Sequence, residues 1–193
     1  MKLYKIYSRA IGLLFALSLL CVGCENEDIL DINDLEISPS NPESVVIVEP
    51  DDGITSVNAL TKAINENGDA TYILRRDGVY YMEGKNVFKH NVVIKAENGS
   101  GKMPIIQPIC DAQGALNADM IRLEGSATFE NIYIIGKDAA TGNLMQRLFR
   151  IDESNVRLKF DNCFIDHCRN FCIRTDNVNN KIYLNNSTIR NLA

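Results

Sequence analysis

Three short segments of the chain share the order apolar, arginine, apolar or threonine, acid: Ile121-Arg122-Leu123-Glu124, Phe149-Arg150-Ile151-Asp152 and Ile173-Arg174-Thr175-Asp176. Side chains alternate between the faces of a strand, so the first and third residues enter a core while the arginine and the acid point outward. Stacked side by side, the segments make a guanidinium row (Arg122, Arg150, Arg174) beside a carboxylate row (Glu124, Asp152, Asp176). Two chemistries fit these rows. Adjacent rows of opposite sign offset the repulsion within each row and give a solvated lattice, each pair contributing ~0.2–1 kcal/mol. The other chemistry is sugar binding, with arginine forks on uronate carboxylates and the acids on hydroxyls or a calcium ion. A second cluster, Cys163, His167, Cys168 and Cys172, contains zinc-ligand residue types, but its Cys-x4-Cys-x3-Cys spacing matches no standard ligand pattern. These cysteines fall where a repeat wants small or apolar side chains, and no metal is expected there. A lyase needs a base and a cation to neutralise a uronate carboxyl, and a hydrolase needs two carboxyls at a set separation. The sequence singles out neither set, so the catalytic residues are unknown.

The elements that position these rows come from an internal repeat. Residues 148–165 match residues 172–189 at an offset of 24: Arg150 falls on Arg174, Asp152 on Asp176, Asn155 on Asn179, Asn162 on Asn186 and Ile165 on Ile189. An earlier copy, with a three-residue deletion, aligns Ile121-Arg122-Leu123-Glu124 with Phe149-Arg150-Ile151-Asp152 and Phe129-Glu130-Asn131 with Phe160-Asp161-Asn162. Short β-branched or aromatic runs separated by Gly, Asn and Asp follow Asp69. A period of 24 with two or three strands per turn is the size of one β-helix coil, pairing with the next ~4.8 Å along the axis. An antiparallel sandwich would not repeat residue by residue. The expectation is an all-β, right-handed single-stranded parallel β-helix, with about five coils from Thr71 to Ala193. Ile121, Leu123, Phe129, Phe149, Ile151, Phe160, Ile173 and Leu184 form its inward rows, and Asn131, Asn162 and Asn186 form an inward asparagine ladder at a bend. One capping helix precedes it, with Thr55 or Ser56 as its cap, Val57, Leu60, Ala63 and Ile64 as its apolar face and Asn67-Gly68 as its stop.

The N-terminus carries a different message. Lys2, Lys5 and Arg9 precede an uncharged, Leu-rich run of 14 residues, 10–23, shorter than the ~20 needed to span a bilayer. The run ends in Cys21-Val22-Gly23-Cys24, which resembles a lipobox, although Cys21 stands where that motif usually has Leu. The resemblance implies that residues 1–23 are a lipoprotein signal peptide, removed so that Cys24 becomes the lipidated first residue; acyl chains contribute ~0.8 kcal/mol per buried CH₂ to anchoring. Loss of the signal, which carries +3, takes the net charge from −5 to −8. Residues 25–52 hold ten acids and no base, an acidic tether in which Val45-Val46-Ile47-Val48 is the one apolar run and a candidate first strand. The start of the tether, Cys24-Glu25-Asn26-Glu27-Asp28, is similar to the surface-export signal of Bacteroides-group lipoproteins; a plain soluble spacer is the other reading. The expected division is 1–23 signal peptide, 24–52 tether and 53–193 β-helix domain.

Within that domain, residues 54–106 resemble the N-terminal cap of pectate-lyase-superfamily lipoproteins of the Bacteroides group, through the helix Val57-Asn58-Ala59-Leu60-Thr61-Lys62-Ala63-Ile64 and the runs Tyr72-Ile73-Leu74, Asp77-Gly78-Val79-Tyr80, Val92-Val93-Ile94-Lys95-Ala96 and Pro104-Ile105-Ile106. They are also similar to the opening of the chondroitinase-B and alginate-lyase-like family, whose catalytic and calcium-binding residues sit on later coils and match nothing here. The resemblance implies an outer-membrane, surface-exposed lipoprotein associated with polysaccharide and without turnover as it stands. A fragment of a polysaccharide lyase or glycoside hydrolase, or a structural, adhesin-like β-helix, are the competing expectations. Partners are the membrane, through the lipid, and polysaccharide; nucleic acid and a cofactor are not expected, with calcium as the one conceivable ion. Because Ala193 falls inside the repeat, the chain is expected to be the N-terminal part of a longer product.

Overall fold

The computed structural model describes residues 44–192; Cys24, the export segment and most of the acidic stretch lie outside these residues. Every strand pairing in the body is parallel. The chain winds through three sheets in turn. Sheet A holds β1 (Val45–Val48), β2 (Ala70–Leu74), β5 (Val92–Ala96), β8 (Ala127–Glu130), β11 (Arg157–Asp161) and β14 (Lys181–Asn185). Sheet B holds β3 (Val79–Glu83), β6 (Ile105–Ile109), β9 (Tyr133–Ile135), β12 (Phe164–Cys168) and β15 (Thr188–Leu192). Sheet C holds β4 (Val87–Phe88), β7 (Asp119–Leu123), β10 (Arg147–Ile151) and β13 (Phe171–Thr175). Each pass through A, B and C is one coil, and about six turns are stacked.

The register follows the repeat. Phe149 pairs with Ile173, Leu158 with Ile182 and Ile165 with Ile189, each 24 residues apart. Toward the N-terminus the offset widens to 28 between Arg150 and Arg122 and to 31 between Phe160 and Phe129. Strand alternation sends Phe129, Phe149 and Phe160 into the core, all fully buried. Their rings meet at 5.2–5.4 Å, with Phe129 and Phe160 stacked and Phe149 edge-on to both. Such aromatic pairs are worth ~0.5–1.5 kcal/mol each beyond area burial. Ile121, Leu123 and Ile151 are buried as expected. Ile173 is half-buried and Leu184 is 48% exposed, because β13 and β14 each have a paired neighbour on one side only among the described residues.

The bends explain the recurring asparagines. Asn131, Asn162 and Asn186 turn the chain from sheet A to sheet B with φ of 58°, 49° and 48°, and Asn155 and Asn179 turn it from C to A at 62° and 59°. Asparagine is among the few non-glycine residues that tolerate this left-handed region. The expected inward ladder is corrected: Asn162 and Asn186 are exposed, and the Asn162 Nδ2 donates to Asn131 Oδ1 (2.6 Å) on the outside of the bend. An αL bend residue projects away from the core, so only surface amides stack there.

Two boundaries also move. The helix, α1 (Ala59–Asn67), is entered through Asn58 in the left-handed conformation with no side-chain cap of its own. Thr55 and Ser56 do not cap it; their amides bond Asp52, while Asp51 accepts the Ala59 N–H at 3.2 Å. Leu60 and Ile64 are its buried anchors, and Gly68, φ 71°, ends it with its N–H on Ile64 O. The body begins before residue 53: β1 pairs with β2 through Val45–Thr71 to Val48–Leu74, and Asp51 is buried against the Tyr81 amide (3.0 Å).

Candidate functional site

Sheet C brings the predicted rows together. Arg122, Arg150 and Arg174 lie in register on β7, β10 and β13. Asp152 sits between two coils, 2.6 Å from Arg122 Nε and 2.7 Å from Arg150 Nε. Asp176 repeats this one coil on, 3.1 Å from Arg174 and 3.9 Å from Arg150. Each aspartate therefore bridges its own arginine and that of the preceding coil, and Glu124 stands exposed beyond Leu123. Burial alone would raise the Asp152 pKa, but the Arg122 and Arg150 guanidinium groups outweigh it and hold the carboxyl below its usual range. Arg122 is raised in turn, chiefly by Asp152. At the starts of the same strands, buried Arg147 pairs with buried Asp119. This pair was hidden from repeat analysis because Phe171 occupies the matching place on the next coil.

Beside the strand starts lies a groove of about 910 Å³, within the ~300–1,000 Å³ of ordinary ligand sites. Its walls are the two long B-to-C connections, residues 110–118 and 136–146, and its third side is the two-residue connection 169–170. The second wall is a small hairpin: Lys137 bridges Leu144, Asp138 N donates to Asn143 O (2.9 Å), and Met145 N donates to Gly136 O (2.8 Å). Gly136 is required there, since a Cβ would collide with the His167 carbonyl oxygen. The first wall is a turn around Asp111, whose Oδ1 accepts the Gln113 and Ala115 amides. Backbone bonds from Arg169 N to Met145 O (2.9 Å) and Asn170 N to Gln146 O (3.2 Å) fix the third side.

The polar side chains of the lining are one cation and four amides, set among Leu116, Leu144 and small residues, with no acid. Arg169 is exposed, and among the described residues its guanidinium has no ion-pair or hydrogen-bond partner. The side chains of Asn143, Gln146 and Asn170 likewise have no protein partner there. None of these four was singled out from the sequence, because the 24-residue alignment discards what lies between its strands. The available signal was the widening of the period to 28 and 31, since insertions in stacked repeats gather on one face, often the binding face.

Sheet B carries a separate polar hub. Asp166, 1% exposed, accepts from Tyr133 OH (2.8 Å), Arg190 Nε (2.9 Å) and Asn191 Nδ2 (2.7 Å), with His167 Nδ1 at 2.8 Å. Burial would raise its pKa, but these bonds carry it below the ordinary carboxylate range. Tyr133 is pushed up, first by burial and then by Asp166. Cys110, Cys163, Cys168 and Cys172 are free thiols. Among the described residues, no three His, Cys, Asp or Glu side chains converge as metal ligands. Burial pushes the Cys163 thiol up to about 11 and the Cys172 thiol to about 12.

Neither a protein-family profile nor a curated protein sequence matches the chain. Among solved structures, an arginine-to-alanine mutant of the PL6-family alginate lyase AlyGC superposes with a TM-score of 0.57 at 19% identity. The superposition covers 79% of this chain and 20% of that one, so the chain spans about a fifth of the enzyme's length. The chain is a right-handed parallel β-helix. At this identity the likeness is one of fold, and a fold hosts many functions.

Proposed function

We propose that the chain is a lipid-anchored, surface-facing β-helix that binds acidic polysaccharide in the groove without cleaving it. One observation carries this reading: among the described residues the groove's guanidinium and three of its amides have no protein partner, whereas the stripe arginines already have carboxylate partners. A free guanidinium offers a fork to a uronate carboxylate. Side-chain amides, donor and acceptor at once, suit sugar hydroxyls. The rows on sheet C, with Arg122, Arg150 and Arg174 already paired to Asp152 and Asp176, do not line the groove and serve as scaffold.

The reading of no turnover rests on the stripe of sheet C, the nearest thing to a charged site in the sequence, where each arginine is already held by a carboxylate and none stands free to act on a substrate. The address rests on the lipobox-like Val22-Gly23-Cys24 and the acidic run after it, which imply an outer-membrane anchor through Cys24.

The test is a binding panel on the full chain in detergent, using polymannuronate, polygalacturonate, chondroitin and neutral mannan. The acidic polymers should bind and Arg169→Ala should weaken them about tenfold, the scale of one lost charged contact. No rise in ultraviolet absorbance from unsaturated uronate should appear on any of them. Turnover abolished by Arg150→Ala or Asp152→Ala would make sheet C a catalytic site and overturn the reading.

A further inference from the structure

The two long walls of the groove meet at one side chain that does not line it. We infer that Asp138 is the positioning residue of the groove, a buried carboxylate that locks both loops into one preformed wall and thereby sets the affinity for saccharide. The inference rests on the groove's being the glycan site.

Asp138 is 1% exposed, and its two oxygens have different duties. Oδ1 organises its own hairpin, accepting from Ala140 N (3.1 Å), Thr141 N (2.6 Å) and Thr141 Oγ1 (2.7 Å). Oδ2 reaches the other wall and accepts from Cys110 N (3.2 Å). Close by, Cys110 Sγ and Thr141 Oγ1 approach to 3.6 Å, a second contact between the same loops. Every partner of the carboxylate is a donor, which an ionised acid alone can satisfy on both oxygens. An asparagine of the same shape turns an NH₂ group toward amide N–H groups whichever way it flips. Asp111 is the natural control, because its carboxylate bonds only amides of its own turn, Gln113 and Ala115. Coupling the walls matters because a ligand that must first order two independent loops loses affinity to that ordering.

The experiment compares the full chain with Asp138→Asn and Asp111→Asn, using hexamannuronate as the probe. Hydrogen exchange should quicken at least tenfold at the Cys110 amide and at Ala140 and Thr141 in Asp138→Asn, with β7 and β10 unchanged. In Asp111→Asn it should stay within residues 111–115. The Kd for hexamannuronate should rise at least fivefold in Asp138→Asn and stay at the wild-type value in Asp111→Asn when the two are compared at equal loss of urea stability, a split that a merely structural residue would not give. Faster exchange confined to residues 137–143, or unchanged affinity once both loops have loosened, would overturn the inference. Coupled loosening without any wild-type affinity for the probe would leave the loop clamp standing. It would defeat both the saccharide reading and the claim that Asp138 sets affinity.

Discussion

Replacing Asp152 by alanine separates a structural stripe from a binding stripe. Asp152 is ion-paired at 2.6 Å and 2.7 Å, and the three side chains are only 19%, 26% and 31% exposed. A surface pair is worth ~0.2–1 kcal/mol, so losing two removes ~0.5–2 kcal/mol. The variant also leaves Arg122 and Arg150 one strand spacing apart with no carboxylate between them, adding up to ~1 kcal/mol of repulsion in a water-like dielectric. A total of about 1–3 kcal/mol follows, or a urea midpoint lowered by roughly 1 M for a typical slope. The chain has no tryptophan, so far-ultraviolet circular dichroism is the probe. The pH dependence has a definite sign. The native carboxyl titrates below its unfolded value, so its contribution is complete above the ordinary Asp pKa of ~3.9 and is lost as pH falls through the depressed native value. Wild type and variant should therefore differ most at neutral pH and converge as pH drops below about 4. Arg150→Ala made on top of Asp152→Ala should cost less than Arg150→Ala alone. A midpoint unchanged at neutral pH, together with lost glycan binding, would show that the row evolved for ligand and not for charge balance.

Three further outcomes are expected. Phe160→Ala empties the middle of the Phe129–Phe149–Phe160 cluster and should cost ~3–5 kcal/mol in urea unfolding; a loss under about 1 kcal/mol would contradict that packing. Labelled palmitate should enter the wild-type chain in its native host and not Cys24→Ala, and equal labelling of the two would remove the lipid anchor. Iodoacetamide at pH 7.5 should leave Cys163 and Cys172 unmodified in the folded chain, since thiols held near 11 and 12 carry almost no thiolate; rapid alkylation of both would show that burial there is not maintained.

The coil period, the strand order and the inward rows were legible in the sequence because stacking turns each into a residue-by-residue recurrence. Arg150 over Arg174 and Phe160 over Leu184 are pairs in the structure at the offset that the sequence displays. The asparagines recur for a backbone reason, φ near 50–60°, which a sequence shows only as composition; hence the mistaken inward ladder. The cap from Asp51 was hidden because the carboxylate lies eight residues before the amide it receives. Asp138 was hidden because it belongs to an insertion where the repeat fails, and Arg169 because the matched blocks 148–165 and 172–189 leave its short connection out.

Those intervals are where scaffold and site part company. Along the repeating strands the three stripe arginines face carboxylates on the same coil or the adjacent one, as Arg122 and Arg150 face Asp152, and a ligand would have to break such a pair to use either member. In the insertions the charges divide differently. Asp138 and Asp111 hold loop backbone there, and Arg169, on the short connection that closes the groove, has no ion-pair partner among the described residues. Among the described residues no carboxylate pairs with Arg169, so an anion entering the groove would displace no protein contact from its guanidinium.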